Sequence, residues 1–224
     1  MPLPRKYDLF FGLNLTDEQR EVADMMYDKE IVFIDALSGG GKTTLAVALS
    51  KILHEEDPEV KMEYIFAPIN EKAMGYRAGN QTAKNSAYTT PLYDALAVIK
   101  ENPRLAVYDE DERLKDLVDR YWIYPQAVTF LRGSNKIKKI NIIDEAQNYT
   151  FWELKKALSR HGFGSKTFVI GNMEQCDLKN PKESAFKHFM DWYATDQRTG
   201  IGKLTHNFRG WVSEMADKCP PPSS

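Results

Sequence analysis

Cysteine is scarce in this sequence. Cys176 and Cys219 are the two cysteines among 224 residues, and they form no CxxC pair. This excludes the usual zinc framework, and two unclustered cysteines fit a reducing compartment. No apolar run approaches the roughly 18 residues of a membrane helix. Proline and charged residues interrupt the first residues, which excludes a signal-peptide core there. We therefore expect a cytoplasmic protein with no membrane partner.

Positive charge is not in excess either, since 30 Lys and Arg residues stand against 32 Asp and Glu. Any binding of nucleic acid therefore has to come from a local patch. The candidates are a basic strip, Arg132, Lys136, Lys138 and Lys139, and three loop residues, Tyr76, Arg77 and Tyr88. The strip is equally compatible with a solvated loop beside a strand, and the loop residues with anchors of their own loop.

Strand and helix patterns alternate along the chain. Apolar runs predict strands at 30–37, 63–69, 127–131, 139–144, 167–171 and 201–206. Helical spacing predicts helices at 16–28, 42–54, 92–100, 151–161, 181–193 and 211–218. This order is typical of an α/β fold with a mostly parallel sheet and helices on both faces. Ligands of such folds bind beyond the carboxyl ends of the strands.

The length fits one domain, and we assign residues 1–224 to it. Four segments lack a clear pattern. We expect an irregular N-terminal segment at 1–15, a Gly- and Asn-rich loop at 73–90, a charged insertion at 101–126 and a disordered tail at 219–224.

A glycine cluster follows the first predicted strand. Residues 36–43, ALSGGGKT, match the phosphate-loop pattern GxxxxGK[ST] except at Ala36, and a predicted helix follows. Backbone N–H groups of residues 39–43 would surround an anion at the helix N-terminus. Lys42 would reach the β- and γ-phosphates of ATP, and the Thr43 hydroxyl would bind Mg²⁺. The alternative is a glycine-rich turn with an exposed lysine.

Two later strands also end in polar residues. INIIDEAQN, residues 140–148, places Asp144 and Glu145 at the end of a buried strand. Asp144 would hold Mg²⁺, and Glu145 would orient an attacking water or accept its proton. FVIGNMEQCDL, residues 168–178, offers Gln175 as a sensor of the γ-phosphate. A solvated acidic turn and an ordinary Asn/Asp turn are the respective alternatives.

Seven stretches together resemble the PhoH family of phosphate-starvation-type P-loop ATPases, in its small, phage-like form. They are ALSGGGKT (36–43), APINEKAMGYRAG (67–79), YTTPLYDAL (88–96), TFLRG (129–133), IIDEAQN (142–148), LSRHGFGSKTFVIGNMEQCDL (158–178) and LTHNFRGWV (204–212). The resemblance implies a RecA-like fold similar to the core of superfamily 1 helicases. It also implies ATP binding and hydrolysis and an RNA helicase or RNA-processing role.

The resemblance extends to single residues. Gln19 resembles the adenine-reading glutamine of this class, with a surface helix glutamine as the alternative, and Gln175 matches the third motif. Arg160 and Arg209 are candidate arginine fingers, in cis or across a subunit interface, with surface salt bridges as the alternative. The expected nucleotide-binding residues are Gln19, Ser38, Gly39, Gly40, Gly41, Lys42, Thr43 and Thr44. The expected catalytic residues are Lys42, Glu145, Gln175, Arg209 and Arg160.

Three positions depart from the family pattern: Ala36 and Ala67 replace the usual Gly and Arg, and Asn172 replaces an Asp. The last change removes a charge beside the expected Mg²⁺ site and puts the rate of turnover in question.

The chain has length for one RecA-like core, so unwinding would need a homo-oligomer, with a hexameric ring as one candidate. We expect an ATPase coupled to RNA or single-stranded nucleic acid. A P-loop small-molecule kinase and a nucleotide-gated binding module with little turnover are the alternatives. A substrate screen separates the kinase, and ATP binding without phosphate release indicates the module.

Overall fold

The structure is a computed structural model that describes residues 2–4, 11–12, 14–68, 81–108, 121–131, 138–217 and 219, with the backbone alone for 81–87 and 217. Its centre is a six-stranded sheet. The strands are β1 (Ile31–Ala36), β2 (Lys61–Phe66), β3 (Ile123–Ala127), β4 (Lys139–Ile143), β5 (Lys166–Gly171) and β6 (Thr199–Leu204). Their order is β3-β2-β4-β5-β1-β6, and every neighbouring pair is parallel. This confirms the predicted parallel α/β architecture.

Helices cover both faces of the sheet. They are α1 (Asp17–Asp28), α2 (Lys42–Glu56), α3 (Gln81–Val98), α4 (Pro103–Ala106), α5 (Phe151–Leu158), α6 (Phe186–Tyr193) and α7 (Trp211–Asp217). Side chains of β1 alternate between the faces, as a strand requires. Val32 and Ile34 pack in the core with α1 and α2, whereas Phe33 packs in the core with α5 and α6. In the described part of the chain, no helix is both long and apolar enough to cross a bilayer.

The helix predicted at 92–100 begins earlier, at Gln81, so the loop expected at 73–90 is wrong from residue 81 onward. Residues 73–80 lie outside the described residues. Pro91 lies inside α3. A proline disfavours a continuous helix because it lacks a backbone N–H and its ring clashes with the preceding turn. Burial of Leu92, Leu96 and Ile99 in the core with α2 outweighs that local preference.

The third strand was predicted at 127–131, and this is wrong. β3 runs from Ile123 to Ala127, and a 3₁₀ turn follows at Val128–Phe130. A proline at position 125 disfavours a strand, but β3 is an edge strand of the described sheet: it pairs along its length with β2 and is bridged on its other side by Val107 at Ile123, so the missing N–H of Pro125 is tolerated. The segment assigned to a charged insertion, 101–126, therefore reaches too far, since its last residues belong to the sheet.

The helix predicted at 181–193 is broken. Pro181–Glu183 form one 3₁₀ turn, and α6 begins at Phe186, where the Ala185 N–H donates to the Tyr149 carbonyl oxygen (3.0 Å). Of the N-terminal segment 1–15, residues 2–4, 11–12 and 14–15 are described and contain no helix or strand. Of the tail expected at 219–224, all but Cys219 lies outside the described residues.

Candidate ATP site at the carboxyl edge of the sheet

The phosphate loop joins β1 to α2 at the carboxyl edge of the sheet. Gly39 and Gly41 have φ of +74° and +75°, in the left-handed region that favours glycine. Ala36, which replaces the first glycine of the pattern, is the buried last residue of β1 and is not among the residues with positive φ. A methyl group is accommodated there, so the departure does not distort the loop.

Two other segments pack directly on this loop. A Cβ on Gly39 would lie 2.8 Å from Arg209 Cγ and 2.9 Å from Asn207 Oδ1, and one on Gly41 would lie 3.1 Å from Gln19 Nε2. Real Cβ atoms essentially never approach a neighbour within 3.0 Å, so a side chain at position 39 would displace Arg209 and Asn207, and one at position 41 would press on Gln19. The glycine cluster therefore permits close approach from both α1 and the segment after β6.

Gln19 is brought to the phosphate loop by the start of α1. Thr16 and Gln19 form a capping box, in which Gln19 Oε1 accepts from the Thr16 N–H (3.1 Å). The Gln19 Nε2 donates to the Gly40 carbonyl oxygen (3.4 Å), and the side chain is buried. The capping box fixes the glutamine at the edge of the cavity, although the prediction that it recognises adenine is not tested by these contacts.

Asp144 follows β4 and is buried beside Thr43. The Thr43 hydroxyl donates to Asp144 Oδ2 (3.3 Å), the Tyr64 hydroxyl donates to the same oxygen, and the Glu145 N–H donates to Oδ1 (2.8 Å). Burial and the neighbouring Glu145 carboxylate raise the pKa of Asp144 to about 6, against the opposing charge of Lys42. A hydroxyl and a carboxylate are oxygen donors of the kind that Mg²⁺ prefers, so the pair fits this metal.

Glu145 faces the phosphate-loop lysine. Lys42 Nζ lies 3.2 Å from Glu145 Oε1, and the lysine side chain is 13% exposed whereas the glutamate is 45% exposed. Glu145 itself has a left-handed backbone, with φ of +51°. This conformation is uncommon for a residue with a side chain, and here it turns the chain from β4 into the 3₁₀ turn Ala146–Asn148.

Gln147 is a site residue that the sequence analysis missed. Its Nε2 donates to Glu145 Oε2 (2.5 Å), and its Oε1 accepts from the Asn172 N–H (2.9 Å) after β5. The amide is buried and joins the glutamate to the end of the neighbouring strand. Its position in DEAQN, two residues after Glu145, was the available signal. Gln175, which was predicted to act from this strand end, lies in an exposed turn, and its catalytic role stays a prediction.

The two candidate arginines lie in different places. Arg209 Nη1 donates to Ser38 Oγ (2.6 Å) at the phosphate loop of its own chain. Arg160 follows α5, and its Nη2 lies 3.5 Å from the Leu131 carbonyl oxygen. Among the described residues, no contact joins Arg160 to the phosphate loop. Arg209 can therefore act in cis, whereas an arginine finger at Arg160 stays a prediction for a neighbouring subunit.

A cavity of about 460 Å³ opens beside the phosphate loop. Its lining includes the loop with Lys42, Thr43 and Thr44, and beyond it Asn14, Gln19, Asp94, Val98, Phe208 and Arg209. Phe208, whose N–H donates to the Gly39 carbonyl oxygen (3.1 Å), is a half-exposed ring that the sequence analysis did not single out. The cavity thus has a polar anion-binding end and an aromatic wall.

The basic strip predicted to contact nucleic acid is not available as a unit. Lys139 is buried and pairs with Glu63 (Nζ to Oε2, 2.8 Å), because it belongs to β4 and not to a loop. Lys138 is exposed and lies 3.8 Å from Asp57, while Arg132 and Lys136 lie outside the described residues. Tyr88 lies on α3 and not in the expected loop, and it stacks on Phe66 (ring centroids 5.5 Å apart), whereas Tyr76 and Arg77 lie outside the described residues.

Comparisons with known proteins agree with this geometry. The PhoH-like protein of Synechocystis sp. is 32% identical over 174 residues, which are 77% of this chain and 50% of that protein. The PhoH-like protein of Bacillus subtilis is 34% identical over 163 residues, 71% of this chain and 48% of that one. The chain thus spans about half the length of the relatives it matches.

Solved structures show the fold. The DUF1998 helicase MrfA bound to DNA aligns with a TM-score of 0.54 at 13% identity, over 92% of this chain and 30% of that one. Together with the parallel sheet and the phosphate loop, this likeness shows a RecA-like P-loop core. The model of the PhoH-like protein family matches residues 13–209. The chain therefore belongs to the PhoH-like protein family.

Proposed function

We propose that the chain binds ATP with Mg²⁺ in the cavity beside the phosphate loop and hydrolyses it, and that turnover is coupled to RNA or single-stranded nucleic acid. The observation that carries the proposal is the meeting of Lys42, Thr43, Asp144 and Glu145 at one edge of the sheet. The four side chains come from two separate segments, and they supply the cation, the metal ligands and the base that phosphoryl transfer to water needs.

Thr43 and Asp144 would hold the metal. Their oxygens already lie 3.3 Å apart, with the Asp144 carboxylate fixed by Tyr64 and by the Glu145 N–H. When bound, Mg²⁺ neutralises charge that develops on the transferred phosphoryl group. Since Asp144 is buried and both of its carboxylate oxygens accept hydrogen bonds, its position is fixed, as a metal ligand requires.

Lys42 and Glu145 act on the γ-phosphate and on water. The Lys42 ammonium, now 3.2 Å from Glu145, exchanges this partner for the phosphate oxygens when ATP binds. The released Glu145 carboxylate, held by Gln147, then orients a water and accepts its proton as the water oxygen bonds to the γ-phosphorus. The bond between the γ-phosphorus and the bridging β–γ oxygen breaks in the same step, so ADP leaves with that oxygen and inorganic phosphate is formed. Arg209, next to the loop at Ser38, stabilises negative charge on the transferred group.

The other end of the cavity fits the nucleoside. Phe208 and Gln19 both line the cavity, and both lie within 4 Å of the position that a Cβ on Gly41 would take. A purine stacked on Phe208 would gain apolar contact, and the Gln19 amide has both donors and an acceptor for its edge. This arrangement supports the predicted use of ATP.

Coupling to nucleic acid rests on likeness of fold and family. The helicase that aligns with this chain was solved bound to DNA, and this chain has one core of that kind. We propose that residues 1–224 form a single ATPase domain, and that a homo-oligomer supplies a second core, with Arg160 of one copy as the candidate for contact with ATP in another. A cytoplasmic location follows from the proposed use of ATP and Mg²⁺.

The test is release of phosphate from ATP, measured with and without Mg²⁺ and with and without single-stranded RNA. The wild-type chain is expected to turn over ATP with Mg²⁺ and faster with RNA. Lys42→Ala is expected to abolish turnover both with and without RNA, because the lysine would contact the transferred phosphoryl group. Lys51→Ala is a matched control, since Lys51 is a helical lysine of α2 that also pairs with glutamates.

Three other results would count against the proposal. Transfer of the γ-phosphate to a small molecule would indicate a kinase, and tight ATP binding without phosphate release would indicate a nucleotide-gated binding module. Turnover that Lys42→Ala leaves intact would place the chemistry elsewhere. Light scattering in the presence of ATP and Mg²⁺ tests the proposed oligomer. A monomer under these conditions would refute the proposal that a second copy of the chain supplies a second core.

A further inference from the structure

A groove of about 710 Å³ lies between the N-terminal ends of α5 and α6, apart from the ATP cavity. Its lining includes Phe151, Trp152, Lys182 and His188, and we refer to these residues together with Lys155 as the aromatic groove. α5 is the first α-helix after β4 and α6 the first after β5, so the groove lies toward the carboxyl edge of the sheet, where the phosphate loop also lies. The proposed ATPase chemistry uses none of these residues.

The rings of the groove form a continuous surface. Phe151 packs edge-on against Trp152 (centroids 5.2 Å apart, interplanar angle 84°) and against His188 (5.7 Å, 61°). Trp152 is 72% exposed although it lies on a helix whose other face is buried. An exposed tryptophan held in place by a second ring presents a flat, rigid and apolar surface to solvent.

A lysine completes the surface on one side. Lys155 Nζ lies 5.2 Å from the centroid of Trp152 and 5.7 Å from that of Phe151, within the range of cation–π contacts. At 72% exposure the indole still offers surface to a flat ligand, with a cation beside it. Within the described part of the chain, neither Lys155 nor Lys182 has an ion-pair partner closer than 4 Å.

The charges of the groove identify the occupant. Lys155, Lys182 and, when protonated, His188 stand against a single lining carboxylate, Glu183, which accepts a hydrogen bond from Asn180 Nδ2 (3.3 Å). The surface is thus apolar and aromatic at its centre and positive at its rim. A ligand that matches it has flat rings linked by negative groups, which describes the bases and phosphates of a single strand and not an apolar protein helix.

We propose that the aromatic groove binds single-stranded nucleic acid, with a base stacked on Trp152 and backbone phosphates beside Lys155 and Lys182. The inference rests on the proposed function for the role of the bound strand. Its test measures affinity for nucleic acid, which does not depend on ATP hydrolysis. It also places the bound nucleic-acid strand next to the ATP site. The Tyr149 hydroxyl and the Asp144 N–H both donate to the Ile65 carbonyl oxygen (3.1 and 3.0 Å), and Tyr149 is followed directly by the start of α5.

The experiment measures the anisotropy of a short, fluorescein-labelled oligouridylate titrated with the full chain, and phosphate release in the same samples. Trp152→Ala is expected to weaken binding roughly tenfold or more, as loss of one stacked base does, whereas Trp152→Phe retains most of the affinity. Phe163→Ala is the matched control, because Phe163 is 91% exposed but lies in the turn after α5, away from the groove. Basal ATP turnover is expected to stay at the wild-type level in all three variants.

Salt dependence gives a second readout. Replacing Lys155 or Lys182 by Gln should each lower the slope of log affinity against log salt by about 0.7, the value for one phosphate contact in a single strand. Equal affinity in Trp152→Ala and the wild type, or no binding by the wild type, would overturn the proposal while turnover remains. If the wild type binds the oligonucleotide but does not hydrolyse ATP, and Trp152→Ala loses this binding, the result would support the groove and refute the ATPase.

Discussion

The carboxylate of Glu145 provides the sharpest test of the proposed chemistry, through the substitution Glu145→Gln. The amide keeps the size of the side chain and can still accept a hydrogen bond from the Gln147 amide. It cannot take a proton from water at neutral pH, and it carries no charge to pair with Lys42. The substitution therefore separates binding of ATP from its hydrolysis.

The expected magnitudes differ for the two steps. Loss of a general base lowers kcat by about a hundred- to ten-thousandfold. Binding should change little and in the opposite direction, because Glu145 competes with the phosphates for Lys42. The glutamate is 45% exposed, so the pair contributes about 0.2–1 kcal/mol after screening, and removing it should tighten ATP binding by roughly five-fold at most.

Phosphate release under saturating ATP measures kcat, and titration with a fluorescent ATP analogue measures affinity. Glu55→Gln is the matched control, since Glu55 is 52% exposed, pairs with Lys51 (3.8 Å) and lies on α2 away from the cavity. It should leave both quantities unchanged. A decrease in kcat of less than about tenfold for Glu145→Gln would refute the assignment of the general base.

Three further predictions concern stability, measured by urea unfolding. Gly202→Ala should cost about 1–3 kcal/mol, because the new Cβ would lie 2.6 Å from Val22 Cγ2. Glu63→Ala should cost about 3–5 kcal/mol, because it leaves Lys139 buried and unpaired. His54 should make stability fall as the pH drops below about 6.5, since burial lowers its pKa and the unfolded histidine takes up a proton first. Asp144, whose pKa is raised to about 6, takes up its proton first in the folded state and opposes this fall, so the effect of His54 is read as the difference between the wild type and His54→Phe.

Each stability prediction has its own contrary outcome. Val22→Ala should restore part of the loss in Gly202→Ala, and failure to do so would argue against a steric cause. Lys139→Met combined with Glu63→Leu should cost much less than Glu63→Ala, because no unpaired charge remains buried. His54→Phe should keep the stacking on Trp122 and reduce the pH dependence, so an unchanged profile would exclude His54.

The elements that could be predicted are those in which local pattern and tertiary burial agree. β1 (IVFIDA) and β4 (KINII) are mostly apolar, and both are buried between helices on two faces. Two of the elements that were misplaced contain a proline. Pro91 in α3 and Pro125 in β3 oppose the element locally, and only packing on α2 and an edge position in the sheet reverse this. Neither fact can be derived from a short window of sequence.

The site divides in the same way. The sequence predicts that four site residues lie close together, because parallel strands end at one edge of the sheet. They are Lys42, Thr43, Asp144 and Glu145. The contact of Arg209 with Ser38 depends on the path of the chain after β6, which no spacing specifies. Lys139 shows the opposite kind of error, an exposed position predicted where the structure buries the side chain. A cluster of basic residues suggested an exposed basic strip, whereas the Lys139 side chain is buried against Glu63.

Asn172 illustrates how a departure from a family pattern can leave a site intact. The group that reaches the ATP site from this position is the backbone N–H, which donates to Gln147 and so holds Glu145, and any residue supplies it. The Asn172 side chain instead accepts from the Glu174 N–H (3.0 Å), as an aspartate would. An aspartate here would add a third carboxylate, and a buried one, near Asp144 and Glu145, which disfavours the charged form of all three. Asparagine keeps the turn without that repulsion, so we expect the proposed turnover not to require the missing charge.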